Sequence, residues 1–262
     1  MRKAGVFCWG ALIGTLGGLI GLGGAEFRLP VLVSIYKFRT LQAIVINLIV
    51  SLVTVIFSFI FRAGLVSLNH SHVPVVLDIL CGSLIGSYIG VRFATRISES
   101  LLTRIVAVFL VALSLVLIAH DFIFHARSLA IPFTLKLVLG TLAGVMIGIF
   151  SSMLGVAGGE LIIPTIILLF AVDIKLAGSL SLAIGIPTII MGIVKYQRQG
   201  RLNGLPMAFI LWMSLGSIGG ALLGSYLLSY VRGSVLQTLL GLILLISAAK
   251  LWRAHSKRLI SN

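Results

Sequence analysis

Residues 21–30 read Gly21-Leu22-Gly23-Gly24-Ala25-Glu26-Phe27-Arg28-Leu29-Pro30, and residues 155–164 read Gly155-Val156-Ala157-Gly158-Gly159-Glu160-Leu161-Ile162-Ile163-Pro164. The two stretches lie 134 residues apart, and the same shift superposes most of the chain without a gap. Gly10 and Gly14 meet Gly144 and Gly148. Ala43, Leu48 and Thr54 meet Ala177, Leu182 and Thr188, and Gly82, Ser83, Gly86 and Gly90 meet Gly216, Ser217, Gly220 and Gly224. The chain therefore reads as two copies of one unit, residues 1–119 and 134–262, joined by a linker at 120–133 that holds His120, Asp121, His125 and Arg127.

What surrounds the quoted stretches places both copies in lipid. Of 262 residues, 59% are hydrophobic and 10% charged, and the mean hydropathy is +1.20, outside the range of soluble domains. Apolar runs at 40–61, 205–228 and 234–252 each supply about 20 residues, enough to cross a hydrocarbon layer of roughly 30 Å. Each copy reads as a glycine-rich span, a short segment led by proline, and three further spans. These fall at 4–24, 27–38, 40–61, 73–93 and 101–119 in the first copy, and at 134–155, 161–172, 174–196, 205–228 and 234–252 in the second. The expected fold is an all-α polytopic membrane protein with two repeats, each of four long helices plus one short proline-led helix. Because the opening element recurs at mid-chain, the first apolar run is expected to be a retained span and not a cleaved signal.

The formal net charge of +14 would suggest nucleic acid in a soluble protein, but here the 20 Lys and Arg lie mainly in short loops between apolar runs. If the short segments cross the membrane, the repeats are inverted. A cytoplasmic N-terminus then puts fourteen of the basic residues inside and six outside. If they re-enter, the repeats are parallel and the count is twelve against eight. The charge bias favours the inverted arrangement, with both termini cytoplasmic in a cell membrane. Cys8 and Cys81 sit in apolar runs without ligand spacing, so packing is their expected role. No metal or cofactor set is evident, and the five histidines fall in loops or the tail without any catalytic motif.

At the quoted stretches several glycines expose backbone, and a proline suits the first turn of a helix, where its missing N–H costs nothing. A helix N-terminus of this kind favours an anion and is tolerated at membrane depth only where protein or water surrounds it. Gly21, Gly23, Gly24, Gly155, Gly158 and Gly159 are thus candidate substrate-binding positions, with Pro30 and Pro164 marking the helix breaks. For the other repeated glycines, close helix packing is the expected role.

Glu26 and Glu160 occupy equivalent positions, and an ionisable group at such depth is a functional hypothesis by default. Two roles are open to them: carrying a coupling proton, or capping the short helix. Arg28 has Ile162 as its partner, so the symmetry breaks at one cation, suited either to gripping an oxyanion or to snorkelling towards the interface. Asn47 and Ser181, paired in the next span, are suited to hydrogen-bonding substrate or to bridging helices.

At these residues the sequence resembles the sulfite exporter TauE/SafE family, also called the DUF81 family. The resemblance rests on the twice-present glycine cluster with its proline, the A-G-S-L-S-L run at 177–182, Arg62-Ala63-Gly64 and Arg198-Gln199-Gly200, and the G-S-L-I-G-S-Y-I-G run at 82–90. It implies a cytoplasmic-membrane permease that exports small anions such as sulfite or organosulfonates, driven by a proton or ion gradient. The chain departs from the family pattern at Ala43-Ile44-Val45-Ile46-Asn47-Leu48 and in the Glu after each glycine cluster. The competing expectation is a non-transporting membrane scaffold for an enzyme complex. Substrate, direction, coupling ion and oligomeric state are not specified by the sequence.

Overall fold

A computed structural model of the protein describes residues 3–63, 73–93, 132–154, 156–236 and 238–242. Every regular element among them is helical: α1 (Lys3–Ile20), α2 (Ala25–Pro30) running into a π-helical turn (Val31–Ile35), α3 (Thr40–Ala63), α4 (Val73–Phe93), α5 (Phe133–Leu154), α6 (Gly159–Phe170), α7 (Ile174–Arg198) and α8 (Met207–Leu228). Six of these, α1, α3, α4, α5, α7 and α8, are long and apolar enough to cross a membrane. The expected span at 101–119 and the linker up to residue 131 lie outside the described residues. Of the last expected span, residues 234–236 and 238–242 are described, and they are helical.

Polarity is distributed as lipid requires. Large apolar side chains such as Leu12, Ile60, Leu77, Leu211, Leu222 and Leu223 face outward, while Arg28, Asn47, Ser51, Thr54, Arg62, Ser83 and Ser217 are buried. Cys8 and Cys81 are both exposed, which corrects the expectation that they pack. The helix surfaces turned towards another helix are lined instead by glycine and serine, so these thiols are left on the perimeter.

Two glycine seams hold the bundle together, and each joins helices from different halves of the chain. In α1, Gly10, Gly14 and Gly18 lie against the backbone of Met213, Ser217 and Ala221 in α8. From the other side Gly216, Gly220 and Gly224 lie against Phe7, Ala11 and Thr15. The second seam, between α4 and α5, repeats this with the halves exchanged: Gly144 and Gly148 face Ile79 and Ser83, and Gly82, Gly86 and Gly90 face Thr141, Val145 and Ile149. Without Cβ atoms the backbones approach closely enough for dispersion to hold helices that lipid gives no hydrophobic reason to associate. In both seams the numbering rises together, so α1 runs parallel to α8 and α4 to α5.

Between the seams α3 and α7 cross the middle in opposite directions. Arg62 of α3 bonds the carbonyl of Lys175, Val55 lies beside Gly185, and Leu48 beside Gly192.

The short helices begin earlier than a proline-led reading requires. Gly24 and Gly158 are their N-caps, with φ of +72° and +77°. That left-handed backbone is cheap only for glycine, so it is the glycine that starts the helix. Pro30 and Pro164 are each the sixth residue and lie inside their helices. At Pro30 the missing N–H, which would have bonded the Glu26 carbonyl, coincides with the switch to the π turn, closed by Tyr36 N–H to Val31 O at 3.1 Å. At Pro164 the helix continues to Phe170, so the expected break is absent there.

Candidate anion site at the junction of the glycine loops

The loop after α1 and the loop after α5 meet in the interior. A Cβ placed on Gly159 would lie 2.9 Å from Leu22 Cα and 3.2 Å from Gly21 O, and one on Gly23 would lie 3.2 Å from the Ala157 Cβ. Gly21, Gly23 and Gly24 all have positive φ, as does Gly158, so a side chain at any of them would strain the loop as well as fill it. Gly155 lies outside the described residues. The seam on the second-half side is pinned by Ser181, whose hydroxyl donates to Gly21 O at 2.7 Å and to Gly178 O at 2.9 Å. Sequence equivalence paired Ser181 with Asn47; Ser181 reaches glycine-loop backbone, and Asn47 reaches the first residue of α2, its Nδ2 donating to Ala25 O at 3.0 Å.

Arg28 occupies the centre. Its side chain is fully buried, so the snorkelling alternative is excluded. One terminal nitrogen donates to Ser51 Oγ at 2.8 Å and Asn47 Oδ1 at 3.4 Å. The other donates to Thr54 Oγ1 at 3.1 Å and, at 3.5 Å, to Ser217 Oγ and Gly23 O. All five acceptors are neutral. No carboxylate lies within ion-pair distance of this guanidinium among the described residues. Glu26 of the same short helix interacts with this cation electrostatically from beyond ion-pair distance, and a buried cation with no directly paired carboxylate stays costly, because neutral dipoles recover only part of its lost hydration.

The symmetry of the chain shows what this arginine displaces. At one contact between the halves, Thr188 of the second and Ser83 of the first hydrogen-bond each other directly at 2.9 Å. Their equivalents, Thr54 and Ser217, are instead bridged by the guanidinium, whose own equivalent is the buried Ile162. One contact between the halves is closed; its equivalent is opened around a positive charge.

Glu26 and Glu160 sit in the first turns of α2 and α6. Both carboxyl oxygens of Glu26 and Oε1 of Glu160 are buried with no hydrogen-bond partner among the described residues. The N-cap residue of each of these helices is the glycine before it.

Thr54 entered the sequence reading only as a repeat match and Arg62 only through the family resemblance, and neither they nor Ser51 were named as site residues. Their signal was present. Asn47, Ser51, Thr54, Ser58 and Arg62 recur at intervals of four and three along an otherwise apolar helix, which puts them on one face.

The family model described as sulfite exporter TauE/SafE matches residues 1–117 and 127–261, nearly the whole chain. No curated protein and no solved structure matches it. The polytopic helical architecture, the interior polar residues and this match over both halves agree: the chain belongs to the sulfite exporter TauE/SafE family, a family of membrane transporters and not of enzymes.

Proposed function

We propose that this protein is a secondary transporter that exports small anions, with sulfite and organosulfonates as the candidate cargo, by alternating access of two inverted repeats around the junction of the glycine loops. One observation carries the proposal: a fully buried arginine at that junction is held by five neutral acceptors and, among the described residues, by no carboxylate within ion-pair distance. A transported oxyanion supplies the missing charge, and a guanidinium suits its planar array of acceptors. The inverted arrangement is supported by the opposite courses of α3 and α7, which are equivalent helices of residues 1–119 and 134–262. The positive-charge bias supports cytoplasmic termini in a cell membrane.

In this scheme Gly21, Gly23, Gly24, Gly158 and Gly159, with Gly155, give the two halves bare backbone against which to reseat, while Arg28, Asn47 and Ser181 meet the anion. Glu26 and Glu160 carry the coupling proton. Protonation of either carboxyl removes a negative charge beside the site, so proton and anion arrive as a neutralising set. Rocking of one repeat against the other then presents the site to either face.

Purified protein in liposomes, assayed for flux of sulfite, sulfoacetate, sulfate and small carboxylates with and without a pH gradient, tests the proposal. Flux of sulfite or sulfoacetate that responds to the gradient is expected, and Glu26→Gln or Glu160→Gln should remove that response. Absence of flux for every anion refutes the transport assignment. Gradient-driven flux that both Gln variants preserve refutes only the coupling role.

A further inference from the structure

The polar face of α3 does not end at Arg28. Asn47, Ser51 and Thr54 contact that guanidinium, but the same face continues one and two turns further to Ser58 and Arg62, which are 0% and 1% exposed. Five polar residues so buried in one membrane helix are a cost that apolar residues of similar size would avoid. Three of them are explained by Arg28. Ser58 and Arg62 are not.

Arg62 spends only part of its donor capacity inside the protein. Its Nη2 donates to Lys175 O at 2.9 Å, while Nε and Nη1 have no partner among the described residues. The Ser58 hydroxyl is buried without a partner as well. Among the described residues Arg62, like Arg28, has no carboxylate within ion-pair distance. Its terminal nitrogens press against two bare glycines of opposite halves: a Cβ on Gly21 would lie 2.5 Å from Nη1, and one on Gly178 would lie 2.9 Å from both. The guanidinium thus sits against the same glycine loop whose other end, at Gly23, touches Arg28.

The second half supplies an internal comparison. In α7 the equivalents of Ser51, Ser58 and Arg62 are Gly185, Gly192 and Tyr196, and the Tyr196 hydroxyl is spent on Ser152 O at 3.2 Å. At the matching place, then, one half carries a satisfied neutral group and the other a cation with only one of its three nitrogens bonded among the described residues. A purely structural demand common to both repeats would not produce that difference.

We propose that Arg62 and Ser58 form a second station for the transported anion, reached from Arg28 along the polar face of α3. The proposal rests on the anion-transport assignment and adds a site to it. From Thr54 to Arg62 the helix rises about 12 Å, far enough for two separate stations. Two stations of moderate strength let an anion leave a charged interior that a single strong site would hold, the same logic that governs conduction through multi-site filters.

The test is sulfite and sulfoacetate flux in oriented proteoliposomes, with half-saturation measured from each face, for Arg62→Gln, Arg62→Lys, Ser58→Ala and Arg28→Gln, alongside thermal unfolding of each purified variant. Arg62→Gln is expected to raise half-saturation about tenfold or more from the face nearer the end of α3, with a much smaller change from the other face. Arg62→Lys should recover most of that loss, and Ser58→Ala should produce a smaller loss of the same sidedness. A purely structural role would lower the unfolding midpoint and affect both faces alike, and that result overturns the proposal. So does unchanged half-saturation in Arg62→Gln while Arg28→Gln is inactive, an outcome that leaves the first site standing. If Arg62→Gln does not fold, Arg62→Lys and Ser58→Ala decide, and normal kinetics in Ser58→Ala count against the station. A wild-type protein that moves neither anion removes both proposals together.

Discussion

Gly219 and Gly220 are neighbours in α8, yet alanine should act in opposite directions at the two positions. A Cβ on Gly220 would run into the Ala11 carbonyl of α1 and lie 2.7 Å from the Thr15 nitrogen, whereas one on Gly219 meets nothing within 4 Å. In a helix interior alanine is favoured over glycine by roughly 0.5–1 kcal/mol, chiefly because the unfolded chain has less freedom to lose. Gly219→Ala should keep that gain. Gly220→Ala has it too, but α1 and α8 must move apart, and overpacking of a tight contact costs about 1–3 kcal/mol. Relief by rotation is closed, because the obstructing atoms are backbone. Since the helix preference is common to both variants, the difference between them isolates the seam, at about 1–3 kcal/mol in favour of Gly219→Ala. Reversible unfolding in mixed micelles, with helix content followed by circular dichroism as the denaturing detergent is raised, measures it. Gly86→Ala, whose Cβ would lie 2.8 Å from the Val145 carbonyl carbon in the other seam, should behave like Gly220→Ala. Equal stability of Gly219→Ala and Gly220→Ala would refute the claim that backbone proximity holds these helices together.

Three further outcomes are expected. Arg28→Met removes the counter-charge of the bound anion, worth about 2–5 kcal/mol at a buried pair, so half-saturation for sulfite should rise roughly 30-fold or more in liposome flux. Ser51→Asp gives Arg28 a directly paired internal counter-ion, next to the nitrogen now 2.8 Å from Ser51 Oγ. Flux should collapse while the unfolding midpoint holds, and the similarly sized Ser51→Asn should still transport. Ser181→Ala leaves Gly21 O without its 2.7 Å donor. It should destabilise the protein by about 1–3 kcal/mol, seen as earlier unfolding in detergent, because a buried carbonyl loses its partner.

Much of this architecture was legible beforehand, for reasons specific to a membrane protein. A segment that crosses lipid must satisfy its own backbone and present apolar side chains, so α3 at Thr40–Ala63 and α4 at Val73–Phe93 announce themselves by run length alone. The glycine spacing in α1, α4, α5 and α8 announced close helix contacts, and each glycine of those stripes has one. The start of the short helices was misread because glycine and proline are both plausible helix openers, and only the positive φ of Gly24 and Gly158 distinguishes them. The fate of Arg28 was undecidable from spacing. An arginine four residues beyond a glycine loop can reach out or in, and the choice depends on Thr54 and Ser217, which are 26 and 189 residues away.

By itself, then, the sequence determined a duplicated helical membrane protein with two glycine-rich loops, because run length, periodicity and repetition are properties of the chain read in order. Only the tertiary structure decided that each half's glycine helix pairs with the far half, that the two loops meet, and that Arg28 and Arg62 are buried with no carboxylate in ion-pair contact among the described residues. Those facts depend on which backbones approach closely enough to exclude lipid and water, a competition among distant surfaces that no local pattern encodes.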